Sequence, residues 1–338
     1  MSKLFILGAG FSRAVSCHMP TMPRLNEYIR GEFSQLPITA RNRALYRKLS
    51  LSAGGIESLL SYLYQTMPWK DSWETNVDNA ALLDLSELIA NYITECEVEV
   101  FEHKGGLPAW TKDFVEYLHR EKLTVATLNY DTVLERLCYL HLPQGYNSAN
   151  AYYEMPVTHL AQRFTSTTGI PQPNETYKLF KLHGSINFYF SGDKNIPSEQ
   201  VYYVPIQSRS PRNDYERDQV LERCKMDLTR LVIPPVTEKT SFYGSNLIKT
   251  MWTKLREEID KANEIYCIGY SLPKTDLTMS LFLATTVRNK KVYIVDPATC
   301  KARKRLEENY TDIFGKRNLR LRYLGKKDAV MKMVKELT

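Results

Sequence analysis

Lys3-Leu-Phe-Ile-Leu-Gly-Ala-Gly-Phe-Ser12 is the stretch on which the reading of this chain turns. Five residues of a short apolar strand break at Gly8 and Gly10, and the sequence then continues as a helix. A strand-to-helix turn of this kind presents free backbone N–H groups to an anion. The first glycine permits the tight turn, and the second lets a pyrophosphate come close to the backbone. Gly8, Ala9, Gly10, Phe11 and Ser12 are therefore candidate ligand-binding residues. The third glycine of the dinucleotide fingerprint is missing, because Arg13 stands three positions after Gly10.

Similar apolar runs recur at wide intervals: Leu123–Thr127, Lys178–Leu182, Leu231–Ile233, Glu264–Ile268, Lys291–Val295 and Leu319–Tyr323. Helical patterns fill the gaps, which is the mark of parallel strands joined by crossovers. The expected fold is α/β, a doubly wound, Rossmann-type, mostly parallel sheet with its ligand beyond the carboxyl ends of the strands. Residues 25–104 break this rhythm. Leu85, Leu88, Ile89, Tyr92, Ile93, Cys96 and Val100 fall on one face of a helix, and Ile56–Tyr64 forms a shorter amphipathic segment. The stretch reads as a helical insertion, with loops at Ser52–Gly55 and Met67–Asp71, in a single domain whose core is 1–24 plus 105–338. Gln144–Asn174, Ser191–Glu199 and Gln207–Arg217, poor in apolar periodicity, read as loops or small lids.

Three further strand ends carry chemistry. Thr127-Leu-Asn-Tyr-Asp131 puts Asn129 and Asp131 on the ligand side, although Asp131 could simply cap the following helix, Thr132–Leu140. Lys181-Leu-His-Gly-Ser185 ends a strand in His183, placed for acid–base work or for satisfying a loop carbonyl. Ile268-Gly-Tyr-Ser-Leu-Pro-Lys-Thr-Asp276 repeats the glycine turn and offers the Ser271 hydroxyl to a phosphate or ribose. Lys291–Asp296 ends in a carboxylate suited to a ribose diol, unless Asp296-Pro297 is only a turn. Of the other histidines only His18, just behind the glycine turn, is held in reserve.

Composition narrows the class. At 338 residues, 43% hydrophobic and 25% charged, the chain is ordinary globular material. No apolar run approaches the ~20 residues that cross a bilayer, and no secretory leader is visible, so a cytoplasmic chain without membrane contact is expected. The six cysteines, Cys17, Cys96, Cys138, Cys224, Cys267 and Cys300, contain no Cys-x-x-Cys pair, so no metal is expected. The net charge of +7 resides in residues 301–338, with 12 Lys and Arg against 5 Asp and Glu. That segment reads as a solvated helix face and edge strand, or as a partner surface; nucleic acid is not directly indicated.

Taken together, Gly8-Ala-Gly-Phe-Ser12, Thr127-Leu-Asn-Tyr-Asp131, Leu182-His-Gly184 and Gly269-Tyr-Ser271 occur in the order of the sirtuin motifs. The resemblance spans residue 4 to about 297. Met19–Leu25 and Ile268–Asp276 look more like the sirtuin-like NAD-hydrolysing proteins of bacterial anti-phage defence than like deacylases. The resemblance implies NAD⁺ as substrate. By position, the glycine turn with Ser12 would hold the pyrophosphate and nearby ribose, with Thr127 and Gly184 also in the binding set. Asn129 would sit by the nicotinamide ribose and position the attacking water, Asp131 would lie near the carboxamide, and His183 would engage the ribose hydroxyls. Gly269 and Ser271 would serve the phosphate or adenosine side and Asp296 the adenosine ribose. It also implies activation through a homo-oligomer or a partner such as a HerA-type ATPase.

The chain departs from the deacylase pattern in three places. It lacks the two Cys-x-x-Cys pairs of the zinc module, has Leu128 where deacylases have Gln, and has Met19-Pro-Thr-Met in place of an arginine-bearing run. Water is thus the expected acceptor, making the chain an NAD⁺ glycohydrolase. The alternatives are a catalytically silent NAD or ADP-ribose-binding module and an NAD-dependent deacylase or ADP-ribosyltransferase.

Overall fold

A computed structural model describes residues 2–33, 40–52, 55–65, 67–102, 106–143, 149–154, 157–159, 168–169, 176–191, 201–203, 228–233, 245–274 and 276–338. Six strands form one wholly parallel sheet: β1 (Lys3–Leu7), β2 (Thr124–Thr127), β5 (Lys178–Lys181), β9 (Glu264–Ile268), β10 (Lys291–Asp296) and β11 (Leu319–Leu324), in the order β11-β10-β9-β1-β2-β5. Leu4 of the central β1 pairs with Thr124 on one side and Ile265 on the other. Its Leu4, Phe5, Ile6 and Leu7 are all buried, as expected of a strand covered on both faces, where polar alternation disappears. The expected doubly wound parallel sheet is the one observed.

The order explains where a ligand can enter. After β1 the chain builds outward through β2 and β5, then returns to lay β9 on the other side of β1. Connections of one hand then leave β1 and β9 toward opposite faces, opening a crevice between their carboxyl ends.

Two expectations need correcting. Leu231–Ile233 is no part of the parallel sheet. It belongs to β8 (Leu228–Val232), which runs antiparallel to β6 (Gly184–Ser191) in a second sheet with β3 (Val157–His159), β4 (Thr168–Gly169) and β7 (Val201–Tyr203), ordered β4-β3-β7-β6-β8. Gln144–Asn174, read as loop, contributes β3 and β4 to that sheet. Strands of two and three residues carry no periodicity of their own and exist through their partners' hydrogen bonds. The rest of that stretch, apart from 149–154, lies outside the described residues, as do 192–199, 207–217 and Cys224.

Between β1 and β2 the described chain is helical: Ala9–Val15, Met22–Glu32, Ala40–Ser50, Gly55–Tyr64, the 31-residue Ser72–Glu102, and Trp110–Arg120. Phe114 of the last packs edge-on to Phe5 of β1 and against Phe11, tying the crossover to the sheet. Among the described residues no helix is long and apolar enough to cross a membrane.

Candidate active site

The turns after β1 and β9 touch backbone to backbone. Gly8 N–H donates to Ile268 C=O and Gly10 N–H to Gly269 C=O. A Cβ on Gly10 would lie 2.6 Å from the Cα of Gly269, and one on Gly269, at φ +58°, 2.3 Å from the carbonyl carbon of Gly10. The glycines are thus required by each other; the space that Gly10 leaves open is filled by Gly269, a different reason from the phosphate approach its spacing suggested. Phe11 N–H donates to Gly8 C=O. Ala9 N–H has no backbone carbonyl partner among the described residues, leaving it the amide best placed for an anion.

A cavity of about 450 Å³ opens over this contact. Gly8, Ala9, Gly10, Asn129, Asp131, His183, Gly269, Ser271 and Asp296 line it, so groups from the ends of β1, β2, β5, β9 and β10 converge there. Phe11, Ser12, Thr127 and Gly184 are not lining residues, and each has another occupation. Phe11 is buried against Trp110 and Phe114. The Thr127 hydroxyl accepts the Asn129 N–H. Gly184, at φ +79°, has no room for a Cβ, which would meet the Leu231 carbonyl oxygen at 1.9 Å. That glycine lets the chain enter β6 beneath β8.

Ser12 is the most informative of these. It is buried, donates its hydroxyl hydrogen to Asp131 Oδ2 at 2.7 Å, and accepts from Asn129 Nδ2 at 3.0 Å. Its hydroxyl is consumed inside the protein and orients the site residues. Asn129 Nδ2 also donates to Gly8 C=O at 3.0 Å. A carbonyl can only accept, so the amide orientation is fixed. Both amide hydrogens are used, and Oδ1 is the atom of this side chain left to accept from a ligand or water.

Asp131 is buried, and that burial pushes its carboxyl up to about 7. The Lys181 cation and the Ser12 hydroxyl pull it back, while Glu97 and Glu135 add to the rise. It accepts the Val133 N–H at 3.3 Å, a long contact, so capping of the helix Val133–His141 is a minor part of its role. His183 is buried, its ring centre 6.4 Å from that of Tyr130, and its carbonyl accepts the Ile233 N–H. Burial also raises the Asp296 carboxyl, which the Ala298 N–H partly offsets. The reserve residue His18 pairs with Glu99 at the surface and does not line the cavity.

Sequence reading missed part of the wall. Met19, Pro20 and Leu25 supply an apolar side, and Glu57 and Ile93 reach in from the helices between β1 and β2. Ile93 belonged to an apolar stripe that reads as core, so it carried no distinguishing signal. Glu57, a carboxylate in the apolar helix Gly55–Tyr64, did. Among the described lining residues there are four carboxylates, Glu57, Asp131, Asp276 and Asp296, and no Lys or Arg. Such a cavity favours a ligand with a cationic centre. Among the described residues no group of His, Cys, Asp and Glu stands placed to hold a metal ion.

No protein-family model matches the chain, and no curated protein matches it. Solved structures do. A Sir2 homologue–NAD complex shares 14% identity, covering 100% of this chain and 91% of that one, with a TM-score of 0.45. A structure addressing sirtuin substrate affinity shares 13%, covering 100% and 93%, with a TM-score of 0.44. A mutant Sir2 homologue with ADP ribose shares 12%, covering 99% and 92%, with a TM-score of 0.42. Function therefore rests on the chemistry of the cavity.

Proposed function

We propose that this chain is an NAD⁺ glycohydrolase that cleaves the nicotinamide–ribose bond with water as acceptor. The observation that carries the reading is the convergence of Asn129 and His183 on one carboxylate-lined cavity at the switch point of a parallel sheet. The glycosidic electron pair leaves with nicotinamide, turning a cationic pyridinium into a neutral molecule, so no general acid is needed. Water adds to the ribosyl carbon, giving ADP-ribose and a proton. The positive charge moves from pyridinium to an oxocarbenium-like ribosyl, and the ionised carboxylates of the wall favour it.

Each residue has a defined task in this scheme. Asn129, with its amide hydrogens tied to Gly8 and Ser12, turns Oδ1 to the attacking water. His183 serves as base or orienter at the ribose hydroxyls. The turn Gly8–Gly10, chiefly through Ala9 N–H, takes the pyrophosphate, with Gly269, Ser271 and Asp296 on the adenosine side. Unregulated NAD⁺ loss would kill a cell, so we further propose a gated enzyme of anti-phage defence, controlled by oligomerisation or a HerA-type ATPase.

Purified protein incubated with NAD⁺ is expected to yield nicotinamide and free ADP-ribose, with or without an acetylated peptide. Intact NAD⁺ would favour a binding module, and a peptide-dependent O-acetylated product a deacylase. Asn129→Ala and His183→Ala are each expected to abolish turnover while retaining a cooperative melt. Undiminished NAD⁺ consumption by both variants would remove the assignment.

A further inference from the structure

Next to the turn after β2 lies a cluster of buried charge whose members, Glu97, Glu135, Arg136 and Lys181, are not among the residues that line the cavity. Glu97, from the long helix Ser72–Glu102, has no solvent exposure. Its carboxylate accepts the Thr132 N–H and, at 2.7 Å, the Thr132 hydroxyl, and is paired with Arg136 Nε at 3.0 Å. Lys181, equally buried, donates to the Asp131 carbonyl and pairs with Glu135 at 3.0 Å. Tyr153 O–H donates to the same Glu135 carboxylate. The Tyr130 carbonyl accepts the Ile186 N–H and the Ser185 hydroxyl.

We propose that Glu97 is a positioning residue for Asn129 and Asp131, so that the helix Ser72–Glu102 is a working part of the catalytic unit. This rests on the hydrolase reading only for its kinetic consequence. Thr132 is the N-cap of the helix Val133–His141 and makes no side-chain cap of its own. Its N–H and hydroxyl are instead both held by a carboxylate that arrives from 35 residues earlier. A buried carboxylate is costly unless charge and hydrogen bonds satisfy it, and here Arg136 and Thr132 do so. The turn between β2 and this helix is therefore fixed at Thr132, one residue beyond Asp131. Asp131 in turn holds Ser12, and Ser12 holds the Asn129 amide. A tilt of the long helix would be transmitted along that chain of contacts to Oδ1 of Asn129.

The sequence held a sign of this. Ile93, Glu97 and Val100 stand at helical spacing on one face, and Glu97 is the carboxylate in an otherwise apolar series. Position 97 could have carried a hydrophobic residue at no cost to the helix.

The test compares the full chain with Glu97→Ala and Glu97→Gln. Peptide-resolved hydrogen exchange reads the turn without needing activity, and kcat and KM for NAD⁺ read its consequence. Glu97→Ala is expected to speed exchange at 128–136 by about tenfold or more, since it leaves a buried donor unpaired. Exchange in β1 and β9 should stay at parental values. The same variant should lower kcat by about tenfold or more with KM changed less than threefold, as expected when orientation and not binding is lost. Glu97→Gln, which keeps one acceptor, should fall between, and it stands in should the alanine variant not fold.

Fast exchange confined to 128–136 in a chain with no NAD⁺ turnover at all would support the positioning role and sink the hydrolase reading. Unchanged exchange at 128–136, an equal rise across all strands, or a kcat like the parent's would overturn the proposal.

Discussion

Three turns meet at the cavity, and they are built on two opposite principles. The glycine turns after β1 and β9 are locked backbone against backbone, with no space for a methyl group between Gly10 and Gly269. The turn after β2 is held by side chains, through Ser12, Glu97 and Lys181, each making a hydrogen bond from or to a buried group. The first arrangement has one geometry and fails outright when disturbed. The second depends on charges whose strength responds to substitution and to pH. The ligand cradle is thus the rigid region, and Asn129 and Asp131 sit on the adjustable one, with His183 at the end of the neighbouring β5.

The sharpest break of this contrast is Gly269→Ala. The residue is at φ +58°, which costs an L-residue roughly 1–2 kcal/mol, and its Cβ would overlap three atoms of Gly10 and Phe11 at 2.3–2.4 Å. Backbone on both sides must move, so the loss should exceed the roughly 4–5 kcal/mol at the far tail of single substitutions. Insoluble protein or loss of a cooperative melt is expected. A soluble variant melting within a few degrees of the parent would show that the two turns can separate.

Lys181→Met probes the other region. The substitution keeps the volume but strips Glu135 and the Asp131 carbonyl of their buried cation. Removing one partner of a buried pair typically costs about 3–5 kcal/mol, so the urea midpoint should drop strongly while folding remains cooperative. A cost under about 1 kcal/mol would show that the turn after β2 does not depend on charge behind it.

What could be read from the sequence follows the same division. The parallel sheet was legible because β1, β2, β5, β9, β10 and β11 are short runs rich in apolar residues, spaced widely enough for crossovers between them. The convergence of Asn129 and His183 was legible because parallel strands share a direction, so their carboxyl ends share a rim. The second sheet was not, since β3, β4 and β7 are two or three residues long and take their form from pairing. Nor could the role of Ser12 be read. A hydroxyl after a glycine turn suits a phosphate in any sequence, and only the approach of Asp131, 119 residues away, shows it to be already engaged. Gly10 teaches the same lesson, since its requirement comes from Gly269.

The smallest expected effect is also the most specific to the adjustable region. Burial lifts the Asp131 carboxyl to about 7 in the folded chain, whereas unfolded it ionises near ~3.9. Between those values the folded state keeps a proton that the unfolded state has lost. The stability this group contributes is therefore complete below about pH 4 and is lost as pH rises through about 7. Asp131→Asn has no proton to lose, and its amide oxygen can still accept from Ser12. The melting temperature of the variant minus that of the parent should therefore be more positive at pH 8 than at pH 4.5, by a few degrees, all other titrating groups being common to both. A difference that stays flat across that range would mean that Asp131 ionises alike in both states. Lys181 would then compensate its burial in full, and the turn after β2 would be as indifferent to pH as the glycine cradle beside it.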